Sequence, residues 1–283
     1  MTLSDRKGPL SMVAASVLWS FGGLCIKYIP WGAMSIVGLR AILAAVVFAV
    51  YRRGVKVDLS PGNILAAVCL SGTTILFVFA NKLTTSAAAI LLQFTAPIFI
   101  ILIHLLFYRR KPKISEAVAV AVTIVSMLLF FAGNLDAGDI LGNILAIVSG
   151  LFMAGVYVCN KRPDTDPEQS LFLGFLINSV IGLPFAFFEV TPDPLAWGSV
   201  IFLGLIQVGL AYVFFSNGIK KTPALLACLI TALEPALNPL WVALFIGEGP
   251  GTFAAAGGVL IILTVVGYNI WVEKHPAKDV STD

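Results

Sequence analysis

The chain has 283 residues, of which 59% are hydrophobic and 12% charged, and its formal net charge is +3. Soluble domains carry about 25% charged residues, and a soluble fold of this composition would expose apolar patches too large to stay in solution. So small a net charge also gives no sign of a nucleic-acid partner.

The apolar residues run in blocks without Asp, Glu, Lys or Arg, for example 86–107 and 249–272. About 20 apolar residues suffice for a helix to cross the hydrocarbon core, where every backbone amide must be satisfied within its own segment. The alternation of a β-barrel strand is not seen. Ten spans are predicted in chain order, at 9–28, 33–51, 62–81, 86–108, 115–133, 140–160, 170–189, 195–217, 223–246 and 251–272. Turn chemistry separates them, as at Ile29-Pro30-Trp31-Gly32, Lys111-Pro112-Lys113, Thr191-Pro192-Asp193-Pro194 and Gly249-Pro250-Gly251. Arg6 and Lys7 lead into the first span without a small-residue cleavage site, so it reads as a retained helix rather than a signal peptide.

Placing the N-terminus inside sorts the basic residues. Lys27 and Lys82 fall outside, Arg40 lies within the second span, and every other Lys and Arg falls inside. This is a one-sided case of the positive-inside rule, with both termini cytoplasmic. Trp31, Trp197 and Trp271 lie near span ends and read as an interfacial belt.

The second half repeats the first. Residues 8–28 align without a gap on 142–162, placing Gly8, Cys25 and Lys27 on Gly142, Cys159 and Lys161. Further along, Asn81 pairs with Asn217, and after a two-residue shift Pro97 pairs with Pro235 and Pro112 with Pro250. Five spans per half is an odd number, so the halves, 1–136 and 137–283, are expected to be inverted in the membrane. That arrangement recurs in secondary transporters. The expected fold class is therefore an all-α integral membrane protein of ten transmembrane helices in two inverted five-helix repeats.

Four stretches resemble the EamA-like family of the drug/metabolite transporter superfamily: AASVLWSFGGLCIK at 14–27, LRAILAAVVF at 39–48, ALLACLITALEPALNPLWVALFIGEGP at 224–250 and GGVLIIL at 257–263. Ser20 stands where the family commonly has Gly, and Arg110 in FYRRKP stands where a Glu is usual. The resemblance implies a ten-helix carrier of small metabolites, often an exporter, with no single substrate.

Ionisable and polar residues at membrane depth mark the candidate site. Glu234 lies roughly 18 Å into the ninth span at 1.5 Å per residue. A carboxylate there suits a proton or an ammonium group, or else a structural hydrogen bond to a freed backbone group. Pro235 and Pro239 flank Asn238 and interrupt this helix, while Pro97 disturbs the carbonyl of Gln93 in the fourth span. Trp19, Tyr157 and Tyr212 are aromatic residues among small or polar neighbours and suit the wall of an organic or cationic solute site. Asn160, Asn178, Gln207 and Asn217 are candidates for interhelical hydrogen bonds or a cavity lining. The Arg40 head group either snorkels outward or pairs with an acid.

The expected substrate-binding residues are Trp19, Gln93, Tyr157, Tyr212, Glu234 and Asn238. No catalytic residue, metal or cofactor is expected. Cys25, Cys69, Cys159 and Cys228 match no zinc or redox spacing, His104 stands alone, and no HExxH, GxSxG or P-loop pattern occurs. The reading is a secondary transporter, an exporter of metabolites such as amino acids, in the cell (inner) membrane. The alternative is a non-transporting membrane receptor or structural subunit. The partners are a small-molecule substrate and the lipid bilayer, and a homodimer is left open.

Overall fold

The computed structural model describes residues 7–21, 29–84, 86–132, 139–237 and 251–275, and these form helices with no strand among them. In chain order they are α1 (Lys7–Trp19), α2 (Ala33–Tyr51), α3 (Pro61–Leu83), α4 (Ser86–Gln93), α5 (Ala96–Leu106), α6 (Ile114–Phe131), α7 (Ile140–Cys159), α8 (Pro167–Glu189) and α9 (Pro194–Phe202). A π-helical segment, Leu203–Leu210, joins α9 to α10 (Ala211–Ile219), and α11 (Ala224–Thr231) and α12 (Thr252–Lys274) follow.

Seven described helices are long and apolar enough to span a bilayer, those at Ala33–Tyr51, Pro61–Leu83, Ala88–Leu106, Ile140–Cys159, Pro167–Glu189, Pro194–Ile219 and Thr252–Lys274. The spans expected at 9–28, 115–133 and 223–246 appear as the shorter helices α1, α6 and Ala224–Leu237, each adjoining residues outside the described set. The outward faces are apolar. Phe187 and Phe188 are 87% and 91% exposed, which a bilayer tolerates and water does not.

Aspartates cap several helix starts, one of them within the separator Thr191-Pro192-Asp193-Pro194. Asp166 and Asp193 each precede a proline that opens a helix, and their carboxylates accept the amides of Glu168 and Leu195 at 3.0 and 2.9 Å. This combines an aspartate N-cap with proline at the first helical position, where its missing amide hydrogen costs nothing. Asp139 caps α7 by accepting from the Gly142 amide at 3.0 Å.

Packing joins elements from the two ends of the sequence. Helix α2 lies along α8, α3 along α7, α6 along α12 and α1 along α10. Lipid is as apolar as leucine, so such contacts depend on close approach and polar links rather than on hydrophobic exclusion. Small residues supply the approach. A β-carbon on Gly174 of α8 would sit 2.8 Å from Leu70 of α3, and one on Gly155 of α7 would sit 2.5 Å from the Cys69 sulfur. Polar links close the end expected to face the cytoplasm, where the Asp166 amide donates to Asn63 Oδ1 at 2.8 Å and Lys161 Nζ donates to the Lys220 carbonyl at 2.9 Å.

One expectation changes. Trp31 is not an interfacial belt residue. It is 2% exposed, its indole donates to Thr191 Oγ1 at 3.2 Å, and it packs edge-on against Trp197 at 5.3 Å. The neighbouring α2 N-terminus, with its unsatisfied amides, draws in the Glu189 carboxylate, which accepts from the Gly32 amide at 2.9 Å and from the Ser35 hydroxyl. This docks α8 against α2, and Ala196 and Val200 of α9 pack with Trp31 in one apolar cluster. Arg110, standing where a glutamate is common, is taken up by an ion pair with Glu116, whose other oxygen accepts the Lys113 amide at 2.9 Å.

Candidate functional site

Two helices are interrupted within the bundle. The first break is at Phe94–Thr95, between α4 and α5. Pro97 lies in the first turn of α5 and has no amide hydrogen to return to the Gln93 carbonyl. Helix α7 presses on this opening, and a β-carbon on Gly150 would lie 2.7 Å from that carbonyl oxygen. The Gln93 amide donates to Ser149 Oγ at 2.7 Å, and Ser149 donates to the Thr73 carbonyl at 2.9 Å. Helices α3, α4 and α7 are thereby tied together at one polar point.

The second break is at Ala232, after which helical residues 233–237 carry Pro235. Thr231 ends α11, and its hydroxyl donates to the Cys228 carbonyl at 2.7 Å. The Tyr157 hydroxyl, 2.9 Å from Thr231 Oγ1, is then the donor in that contact. Both groups are buried, so the bond meets what would otherwise be an orphaned donor.

Gln93 beside the first break and Glu234 beside the second both border a cavity of about 120 Å³. Its described lining includes Trp19 of α1, Arg40 of α2, Thr73, Thr74 and Phe77 of α3, Met153 and Tyr157 of α7, and Phe175 and Asn178 of α8. Gln207 of the π-helical segment and Tyr212 and Phe215 of α10 complete it.

One wall is aromatic. Tyr212 meets Trp19 edge-on at 4.9 Å and Phe175 at 5.4 Å, and Phe215 lies 5.6 Å from both Tyr157 and Tyr212. Such edge-to-face contacts hold rings in fixed orientations.

The polar groups are set by backbone irregularity. The π-helical segment packs on α2 through two glycines: a β-carbon on Gly204 would lie 2.5 Å from Leu43, and one on Gly209 would lie 2.8 Å from Val47. Segments of this kind recur at functional sites because they re-aim side chains. Here Gln207 faces the cavity and its Nε2 donates to the Trp19 carbonyl at 3.2 Å. Its Oε1 is buried without a hydrogen-bond partner among the described residues, and so is Oδ1 of Asn178, a residue 1% exposed.

Five of the six expected residues, Trp19, Gln93, Tyr157, Tyr212 and Glu234, border this one cavity. Asn238 lies outside the described residues. Asn178 and Gln207, read from sequence as general polar candidates, join them. Asn160 and Asn217 do not, being engaged by Ser170 at 2.8 Å and Tyr51 at 3.0 Å. Sequence reasoning passed over Thr73, Thr74, Phe77, Met153 and Phe175. The adjacent threonines offered a signal, since with Ser71 they put three hydroxyls within four residues of a largely apolar span. It also left Arg40 between snorkelling and pairing, whereas the structure turns it inward. No cluster of His, Cys, Asp and Glu among the described residues is able to hold a metal.

A sequence model of the EamA-like transporter family matches the chain twice, over residues 6–132 and 140–270. The chain is 25% identical over 213 residues to the uncharacterized transporter YwfM of Bacillus subtilis (strain 168), covering 71% of each. It is 24% identical over 268 residues to an uncharacterized transporter of Archaeoglobus fulgidus, covering 92% of this chain and 96% of the relative. A solved structure titled "Crystal structure of protein" superposes with a TM-score of 0.80 at 19% identity, covering 96% of this chain and 99% of that one, a likeness of fold.

Proposed function

Because this chain belongs to the EamA-like transporter family, we propose that it is a secondary carrier exporting small organic metabolites such as amino acids, with the cavity bordered by Glu234 as its solute site. The supporting observation is that Trp19, Gln93, Tyr157, Tyr212 and Glu234, drawn from both halves of the chain, meet around one cavity where two proline-marked helices are interrupted. Interrupted helices release backbone groups at mid-membrane depth, and binding sites of secondary transporters are commonly built there. Glu234 is ten residues past the start of α11, or about 15 Å along a helix.

The full proposal has ten spans in two inverted five-helix repeats, residues 1–136 and 137–283, with both termini cytoplasmic in the cell (inner) membrane. The paired matches of the family model to residues 6–132 and 140–270 support the division. Two similar halves that exchange conformations open the cavity to one side and then the other, which is alternating access. The chain acts as a transporter and not as an enzyme. The alternative is a non-transporting membrane receptor or structural subunit.

Counterflow of labelled solute into proteoliposomes tests the proposal. Accumulation of labelled amino acid against preloaded unlabelled solute is the expected result. Its absence across a broad set of metabolites would leave the receptor reading.

A further inference from the structure

The cavity holds both signs of charge. Arg40 of α2 and Glu234 beyond α11 both line it. Among the described residues the ion pairs are Arg110–Glu116 and Arg162–Asp164, so Arg40 and Glu234 stand farther apart than the 4.0 Å of an ion pair. No hydrogen bond within the described residues engages either head group.

Opposite charges in a low-dielectric space attract strongly, and an arginine within a span is costly unless a partner meets it. The aromatic wall borders the same cavity. Tyr212 lies within electrostatic reach of both, and Trp19 and Phe175 fix its ring from two sides at 4.9 and 5.4 Å. The cavity is thus a preformed dipole with an apolar wall.

The remaining polar groups sharpen the picture. Asn178 Oδ1 and Gln207 Oε1 are buried acceptors without partners among the described residues. Gln207 already uses its donor on the Trp19 carbonyl, so its oxygen is the free end. The Glu234 carboxylate borders the same cavity, so three acceptors are available there to the three donors of a primary ammonium group. Arg40 contributes the opposite chemistry, a planar fork of donors that fits a carboxylate bidentately.

Resting on the reading of this cavity as the solute site, we infer that Arg40 is its carboxylate-binding, specificity-determining residue. The solute is then an α-amino-acid-like zwitterion, with its carboxylate on Arg40, its ammonium group on Glu234, Asn178 and Gln207, and its side chain against the aromatic wall. A zwitterion adds no net charge to the membrane interior and satisfies both unpaired residues together. An amine or a carboxylate alone leaves one of them unmet.

Binding to the purified full-length protein in detergent, read as thermal stabilisation, tests this with the twenty L-amino acids, their decarboxylated amines and their deaminated acids. The expected result is that at least one amino acid stabilises wild type while its amine and its acid do so at least tenfold more weakly. Arg40→Gln should lose at least tenfold in affinity for that amino acid and lose the preference over its amine. Arg40→Lys, which keeps the charge and loses the fork, should fall between and serves as the readout if Arg40→Gln does not yield a monodisperse protein. Stabilisation by no amino acid, equal stabilisation by the amine, or an unchanged preference in both Arg40 variants overturns the inference. Counterflow with the same amino acid separates the two readings: zwitterion binding that depends on Arg40 without counterflow defeats the carrier, whereas counterflow indifferent to Arg40 defeats only the role of Arg40.

Discussion

Gly38 of α2 and Gly182 of α8 face each other so closely that a β-carbon built on Gly38 would lie 2.4 Å from the Gly182 carbonyl carbon, and one built on Gly182 would lie 2.5 Å from the Gly38 amide nitrogen. Each glycine is what the other's backbone requires. The contact joins the two halves of the chain beside Arg40, which lies two residues further along α2 from Gly38.

Alanine at either position meets backbone, which cannot turn aside as a side chain can. Gly38→Ala and Gly182→Ala should each destabilise the folded protein by about 1–3 kcal/mol, as overpacking does. Gly198→Ala is the control, because a β-carbon there meets nothing within 4 Å. Thermal unfolding in detergent reads the difference. Equal midpoints for all three variants would remove the argument for close approach.

Topology is checked by accessibility. With ten spans and both termini inside, single cysteines at Arg53 and Asp164 should react with a membrane-impermeant maleimide only after permeabilisation. Cysteines at Asp193, and at Asp136 outside the described residues, should react in intact cells. All four reacting from one side would end the inverted arrangement.

Lys161 carries a pH prediction. It lies beyond the end of α7 with its Nζ on the Lys220 carbonyl, and burial lowers its pKa from 10.5 to about 8. Below pH 8 the amine is charged in both folded and unfolded states, and its burial is a cost. Between pH 8 and 10.5 the folded state has released a proton that the unfolded state still holds, so stability rises with pH across that window. The unfolding midpoint of wild type relative to Lys161→Met should therefore climb from pH 8 to 10. In competitive acetylation near pH 8, Lys161 should react faster than the solvated lysines. A flat difference and ordinary labelling would show that the amine is solvated.

Glu234 bears on coupling. A carboxylate bordering the cavity suits a proton in one form and an ammonium group in the other. If transport exchanges proton for solute through this residue, Glu234→Gln, whose amide oxygen still accepts from an ammonium group, should abolish stimulation of uptake by an imposed pH gradient while leaving a weakened solute-for-solute exchange in vesicles. Equal stimulation in wild type and mutant would acquit Glu234 of coupling and leave it a binding residue.

Much of the architecture was legible because its causes are local. An apolar run long enough to cross a bilayer forms a helix whatever its neighbours are. Thr191-Pro192-Asp193-Pro194 separates two helices through its own chemistry, and the Asp193 cap at 2.9 Å opens the second of them. Pro97 and Pro235 identified the two interrupted helices, since a missing amide hydrogen needs no tertiary context to take effect.

Which face of each helix turns inward was legible only where a side chain was conspicuous at membrane depth, as with Glu234, Gln93 and Trp19. For the rest, one apolar face resembles another. The bilayer is as apolar as the protein interior, so a span need not segregate polar from apolar residues as a soluble helix does. Phe175 in the cavity wall and Phe187 against lipid are the same residue on the same helix, separated by packing alone. Trp31 near a span end looked interfacial until Trp197, Ala196 and Val200 of α9 packed around it. By itself the sequence determined the spans, their breaks and the family to which they belong. The tertiary structure decided that Arg40 and Glu234 share one cavity without touching, because only the close approach of α2 to α8 at Gly38 and Gly182 and the ring contacts of Tyr212 fix where those two charges stand.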